Sequence, residues 1–365
     1  MSQSVSRSVV SLTTALFLVA CFSPPHANAN DGEVVAFDGF DDSLALPWKP
    51  VREMKRAVSL TTKPGHLTIT TAAGTIGGSP ANRRYPLSQN LYLLDNPVED
   101  SEDFVVTTCV TDFRPTEKWQ QAGILIYNDD DHYLKTDMEW TGNLAEFKFI
   151  REWEQKRLVA TDQEAPKSDR VWIRVIKRGK VYERLYSGDG IHFESGGELP
   201  WGEGSPVRIG LIAQNGGTDA APNQASFHFF EVRRLTDAER NDSRRLMRQK
   251  LIGKWQVTEC RCDGIELEQP SITQFEFTET NLTFADSGIG RKVEYQLDHR
   301  FDPYRFTMSY PESYSTTRSK GIYQFDLNSG VLTICLTLAK DQEAPPEFKT
   351  TAQDGRLLLK LRRDD

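Results

Sequence analysis

From Phe37 onward the chain consists of short runs of alternating or β-branched residues cut by turn-rich segments, and no other feature constrains its fold as tightly. Among these runs are Leu67–Thr70, Phe104–Thr108, Gly123–Tyr127, Phe147–Ile150, Val171–Ile176, Val207–Ile212 and Ser226–Phe230. No helix-length periodic segment separates them. Parallel strands need crossover connections, usually helical, so strands this closely spaced predict an antiparallel all-β sandwich or jelly roll.

The one convincing helix is predicted at about Asp237 to Lys250. Thr236 and Glu239 form a capping box, Asp237 and Glu239 sit at the positive end, and Arg244, Arg245, Arg248 and Lys250 gather at the negative end. Its charged face is expected to be solvated, with Leu246, Met247 and Leu251 touching a neighbouring domain. Beyond it the strand pattern resumes over Lys254–Glu259, Thr273–Thr278, Asn281–Ala285, Lys292–Leu297, Tyr304–Tyr310, Gly321–Phe325, Val331–Leu338 and Arg356–Leu361. Strands so short and so closely spaced predict a small closed or nearly closed barrel. The expected organisation is a leader over 1–29, a sandwich over 33–235, a helical linker over 236–250 and a barrel over 251–365.

The first thirty residues carry Arg7, then apolar residues through Leu16-Phe17-Leu18-Val19-Ala20, then Pro24-Pro25, which is the make-up of a secretory leader. Two cleavage readings stand. Ala27-Asn28-Ala29 is a small-x-small site, while Leu18-Val19-Ala20-Cys21 resembles a lipobox whose Cys21 would be lipidated. The expected location is secreted or periplasmic, with or without a lipid anchor at the cell envelope, and no later run is long and apolar enough for a transmembrane segment. Lys and Arg number 44 against 52 Asp and Glu, a net charge of −8. Nucleic-acid binding draws on clustered cations, so this balance argues against that partner. With Cys21 set aside, Cys109, Cys260, Cys262 and Cys335 remain. Strand alternation puts the last three on an outer surface, which suggests a disulfide from Cys335 to Cys260 or Cys262, the alternative being unpaired thiols in neighbouring strands.

Four motifs carry a family resemblance: Trp119-Gln120-Gln121-Ala122-Gly123-Ile124-Leu125-Ile126-Tyr127, Asp131-His132-Tyr133-Leu134-Lys135, Trp172-Ile173-Arg174-Val175 with Arg178-Gly179, and Tyr186-Ser187-Gly188-Asp189-Gly190-Ile191-His192-Phe193. In this order and spacing the segment from Phe37 to Leu235 resembles the concanavalin A-like β-sandwich family that includes the C-terminal domain of family 43 β-xylosidases and regulation-of-enolase-like proteins of unknown function. Physically, Gln-Ala-Gly lets two strands approach closely, and Ser-Gly-Asp-Gly makes a tight hairpin. The segment from about Leu246 to Arg363 is similar to a lipocalin-like domain of unknown function found on exported planctomycete proteins. Leu251-Ile252-Gly253-Lys254-Trp255-Gln256-Val257, Lys320–Phe325, Leu332-Thr333-Ile334-Cys335 and Leu359–Arg363 carry that match. The family's usual Arg-Pro before the penultimate strand is replaced by Ala344-Pro345-Pro346-Glu347-Phe348.

On the predicted strand from Tyr133 to Trp140, Tyr133, Lys135, Asp137 and Glu139 share one face. The resemblance implies that this face lines a concave sheet, where lectins and laminarinase-type glycosidases of the fold place their sites. Asp137 and Glu139 are then the only carboxylate pair worth testing for catalysis. Retaining hydrolysis needs carboxyl groups about 5 to 5.5 Å apart across the substrate, whereas same-face strand neighbours stand ~6.5 to 7 Å apart and point the same way. The laminarinase-type Glu-x-Asp-x-x-Glu is not present, and a solvated strand face is the stronger reading. For binding, Trp119, Tyr127, Tyr133 and Trp153 are the aromatic candidates, with Arg151 and Glu139 as hydrogen-bonding partners, although most aromatics in such a fold are core. Asn128-Asp129-Asp130-Asp131 lacks the spacing of a calcium loop, and Asp38, Asp41 and Asp42 are no more than weak calcium candidates that the resemblance suggests. Zinc, nucleophile-elbow, P-loop and dinucleotide signatures are missing.

The sequence therefore predicts an exported, non-catalytic protein that recognises carbohydrate or another cell-envelope component through the sandwich, with no cofactor, or at most a structural calcium ion. The alternatives are a glycoside hydrolase using Asp137 and Glu139, and an envelope scaffold or protein interaction module.

Overall fold

The computed structural model describes residues 32–364 except 78–84, 161, 218–219, 241, 287, 299–300, 312–315, 327–328 and 340–341. The leader, with Cys21 and both cleavage sites, lies outside the described residues. The described chain is nearly all β.

Two antiparallel sheets face each other in the N-terminal part. One runs Glu194–Pro200, Val181–Ser187, Arg170–Arg178, Phe104–Thr111, Gln224–Arg234, Leu67–Thr70, Val58–Ser59, with Val34–Asp38 also on Gln224–Arg234. The other runs Gln163–Glu164, Ala145–Trp153, His132–Trp140, Gln121–Asp129, Arg208–Gln214, Tyr92–Asp95, with Lys156–Val159 on the same flank of Ala145–Trp153 as Gln163–Glu164. Strand alternation sends Val106, Val171, Ile173 and Phe230 from the first sheet against Ile124, Ile126, Leu134, Phe149 and Leu211 from the second, and these residues form one buried core. The close approach expected at Gln-Ala-Gly is present, since a Cβ on Gly123 would stand 2.1 Å from the Thr136 carbonyl oxygen. The Ser-Gly-Asp-Gly hairpin is present as well. Gly190 takes φ 78°, and the Asp189 carboxylate caps the turn by accepting from Ile191 N and His192 N, each at 2.8 Å.

The capping box forms as read. Glu239 N donates to Thr236 Oγ1 at 3.1 Å, and Thr236 N donates to Glu239 Oε2 at 2.9 Å. The single helix does not. It splits into Asp237–Arg240 and Ser243–Leu251, with Asn-Asp-Ser at the break, residue types that favour caps over helix interiors. Met247 and Leu251 pack on the core that follows, while the side chains of Arg244, Arg245 and Leu246 lie outside the described residues.

The C-terminal part is a closed eight-stranded antiparallel barrel. Gly253–Cys262, Gln274–Phe277, Asn281–Asp286, Ile289–Asp298, Tyr304–Pro311, Thr316–Asp326, Val331–Thr337 and Arg356–Arg363 pair in chain order, and the last returns to the first. At this strand number the interior is just wide enough for side chains, and Trp255, Phe275, Phe277, Tyr295, Phe306 and Tyr323 fill it.

The cysteine expectation is corrected by this register. A bulge between Val257 and Glu259 reverses the alternation, so Cys260 turns into the core with Trp255 instead of staying outside with Gln256 and Thr258. Cys260 lies opposite Leu359, which lies opposite Ile334, so Cys335 projects from the other face two strands away. Cys335 does face outward, but it is buried beneath the chain at Lys349, whose carbonyl oxygen is 3.8 Å from its Sγ. Cys109, Cys260, Cys262 and Cys335 are all free thiols.

The barrel and the sandwich touch through polar contacts. Arg151 Nη1 pairs with Glu294 Oε1 at 2.7 Å, Lys180 N donates to Glu279 Oε1 at 3.0 Å, and Arg248 pairs with Glu198.

Candidate functional site

The site grows from the outward face of the sheet that holds Gln121–Asp129 and His132–Trp140. Pairing puts Gln121 opposite Glu139, Gly123 opposite Asp137, Leu125 opposite Lys135 and Tyr127 opposite Tyr133. Tyr133, Lys135, Asp137 and Glu139 thus share a face, as the alternation requires.

Half of that face is covered. Leu125, Tyr127 and Tyr133 pack with Ile76, Leu91, Leu93 and Ile212 in a second, smaller core. Tyr133 donates to Glu152 Oε2 at 3.1 Å, and Tyr127 donates to Asp130 Oδ1 at 3.1 Å. Both tyrosines are buried, which withdraws them from the binding surface proposed for them and makes them part of the packing.

The other half is polar. Lys135 Nζ lies 2.7 Å from Asp137 Oδ2 and 3.7 Å from Glu139 Oε2, and it also donates to Gln121 Oε1. Gln121 Nε2 donates to Glu139 Oε2 at 3.0 Å. Asp137 is 0% exposed, and its Oδ1 has no hydrogen-bond partner among the described residues. Burial pushes the Glu139 carboxyl above the ordinary carboxylate range, with the Lys135 ammonium pulling the other way. One lysine thus faces both carboxylates of the pair weighed for catalysis and can balance the charge of only one. An acid and a base that share a buried counter-ion on one strand do not flank a substrate as glycoside hydrolysis needs.

At the open edge stands Trp119. Its φ is 71°, a left-handed conformation that a bulky residue rarely adopts. Trp119 N donates to Trp140 O at 2.8 Å, and Gln121 Nε2 donates to Trp119 O at 3.1 Å. Gly216 leaves the room it needs, because a Cβ there would stand 2.4 Å from the Trp119 Cβ. Tyr85 meets the indole edge-on with ring centroids 6.1 Å apart, and Lys118 Nζ is 5.0 Å from its centroid. The residue remains 38% exposed. Trp119, Tyr85 and Glu139 form the candidate site, with the buried Gln121 amide holding Trp119 O and Glu139 in place.

The other sequence candidates go elsewhere. Arg151 is buried on the inner side of its sheet and pairs with Glu294 of the barrel. Trp153 packs edge-on against Trp201, with centroids 5.6 Å apart. In the Asn128–Asp131 turn, Asp130 is held by both terminal nitrogens of Arg52 at 2.9 Å, Asp129 accepts from Asp131 N at 2.8 Å, and Asp131 accepts from Gln155 N at 2.9 Å. Asp38 does not join Asp41 and Asp42 around an ion. Its Oδ1 accepts from Phe40 N at 3.0 Å, and its Oδ2 accepts from Ala45 N, Leu46 N and Trp48 Nε1 at 2.9, 3.2 and 2.8 Å. Those donors take the lone pairs that calcium would use. Among the described residues no group of three or more His, Cys, Asp or Glu side chains is placed to hold a metal ion, and no helix is long and apolar enough to cross a membrane.

Residues 60–235 match the family described as a protein of unknown function (DUF1349). The match ends with the last strand of the two-sheet part and includes the candidate site. No curated protein matches the chain. Among solved structures, the chain is similar to the GH43 protein BlXynB from Bacillus licheniformis, at 21% identity over 54% of this chain and 39% of that one with a TM-score of 0.46. It is also similar to a xylan beta-1,4-xylosidase from Bacillus halodurans C-125, at 17% identity over 58% and 41% with a TM-score of 0.45. A functionally unknown protein from Saccharomyces cerevisiae is similar at 18% identity over 51% and 96% with a TM-score of 0.40. The match spans about two fifths of the length of the two bacterial structures.

Proposed function

We propose that the protein is an exported, non-catalytic carbohydrate-binding protein whose concanavalin A-like sandwich stacks a sugar ring on Trp119, beside a lipocalin-like barrel with a packed interior. The observation that carries this reading is the left-handed backbone and exposed side chain of Trp119 on the rim of a polar sheet face. A non-glycine residue in the left-handed region costs free energy, and such strain persists where the surroundings over-determine it, often at ligand clamps. Sugars present an apolar C–H face to an aromatic ring and hydroxyls to carboxylates, the pairing that Trp119 offers with Glu139, which Gln121 holds from beneath. The leader at 1–29 directs the chain to the periplasm or beyond, where cell-envelope glycans are the available partners.

The test is a glycan array probed with the wild-type mature protein and with Trp119→Ala. Removing a central aromatic anchor is expected to cost about 2 kcal/mol or more of binding free energy, roughly thirtyfold in affinity. Equal binding by both proteins, or no bound glycan at all, refutes the reading.

A further inference from the structure

A cleft of about 290 Å³ opens where Val159 and Ala160, at the flank of the sandwich, face the outer wall of the barrel. Its barrel wall is set by register. Gln296, Thr307 and Lys320 lie in one cross-strand row, and Asp298 and Arg305 in the next. Phe306 points the other way into the barrel core, so Arg305 and Thr307 project outward. The cleft's two sides are tied by Arg318, whose Nη2 donates to the Val159 carbonyl oxygen.

The charges of the lining balance. Asp162, Asp298 and Glu343 oppose Arg305, Arg318 and Lys320. Lys320 Nζ holds Glu343 Oε1 at 3.0 Å, and Asp162 holds Lys148 at 2.6 Å. A free anion entering here meets three carboxylates, and a free cation meets three basic groups. A hydroxyl donates and accepts at once, so a neutral polyol can pair with both sets. Gln296 adds a specific demand, because its Nε2 is buried with no hydrogen-bond partner among the described residues. Gln296 also lines the cleft, so an acceptor oxygen there would satisfy the amide once it turns towards the opening. The volume lies at the small end of ligand pockets, and the position between two folded units is where such pockets concentrate.

We infer that this cleft is a second saccharide site, sized for a neutral mono- or disaccharide and read jointly by the sandwich and the barrel. It uses none of the Trp119 residues, so the two sites fail or stand independently.

The experiment is ligand-observed NMR titration of the full mature protein with cellobiose, maltose and lactose, repeated on Trp119→Ala, Gln296→Ala and Thr307→Val. Thermal unfolding confirms that each variant is folded, and Lys320→Met replaces any that is not. The expected result is saturable binding of at least one disaccharide that survives Trp119→Ala and weakens tenfold or more in the cleft variants. Three results overturn the inference. The first is no saturable binding to Trp119→Ala, and the second is binding there that the cleft variants leave unchanged. The third is tighter binding of glucuronate or glucosamine than of every neutral sugar in the Trp119→Ala protein, since that contradicts the charge balance.

Discussion

Replacing Lys135 by Met tests whether the buried charges on the candidate face are structural. Lys135 is 4% exposed, and Asp137, 2.7 Å away, is fully buried with one oxygen unpartnered among the described residues. Methionine keeps the volume of the stem and deletes the ammonium. Removing one partner of a buried ion pair leaves the other charge uncompensated and costs about 3 to 5 kcal/mol. Here the loss is expected towards the upper end, because Glu139 at 3.7 Å loses the same counter-ion. Against a typical domain stability of roughly 5 to 15 kcal/mol, that is a third or more of the total. The assay is urea unfolding at neutral pH, followed by tryptophan fluorescence. Replacing the pair together, in Lys135→Met with Asp137→Leu, is expected to recover part of that loss, the remainder lying with Glu139, which still lacks its counter-ion. A loss below about 1 kcal/mol in the single variant, or no recovery in the double, refutes the reasoning and puts Asp137 back among accessible carboxylates.

Three further outcomes are expected. At Trp119, Gly adopts the positive φ that Ala resists, so Trp119→Gly should be about 1 kcal/mol more stable than Trp119→Ala; equal stabilities would mean the backbone there is unstrained. At Glu239, burial raises the carboxyl pKa, but the Arg233 and Thr236 hydrogen bonds outweigh it and bring it down to about 2. Its contribution is therefore present above the ordinary value of 4.5 and lost as pH falls through about 2. Glu239→Gln should cost about 1 to 2 kcal/mol at pH 7, and a urea-midpoint gap that fails to narrow on acidification counts against the capping box. Burial pushes Cys109 up to about 12 and Cys335 up to about 11, so both should resist alkylation in the folded protein and react after unfolding without a reductant. A midpoint that drops when dithiothreitol is added would reveal a disulfide instead.

Much of the fold was legible because hydrophobic alternation reports which residues face a core, whatever their partners. The eight barrel strands, the hairpin at Gly188–Gly190 and the capping box at Thr236 all follow from such local chemistry. Features that depend on register or distant packing were not legible. The bulge after Val257 inverts the faces of Cys260 and Cys262, and nothing in Gln256-Val257-Thr258-Glu259 announces it. Tyr127 and Tyr133 have the alternation of a surface strand, yet Ile76 and Leu91, far off in sequence, cover them. The site itself was half visible. Trp119 and Glu139 stood out, and Lys135 was already placed on the Asp137 face, so a lysine two and four residues ahead of two same-face acids was the available sign of a shared counter-ion. Tyr85 and Gly216 carried no local signal, since their roles come from contact with Trp119 across the fold.

The central claim, recognition without reaction, is tested most directly by incubating the wild-type protein with each polysaccharide it binds and measuring new reducing ends. The expected result is retention of the polysaccharide with no reducing ends above the buffer control, and the same result for Glu139→Gln. Steady release of reducing sugar by the wild type that disappears in Glu139→Gln would contradict it.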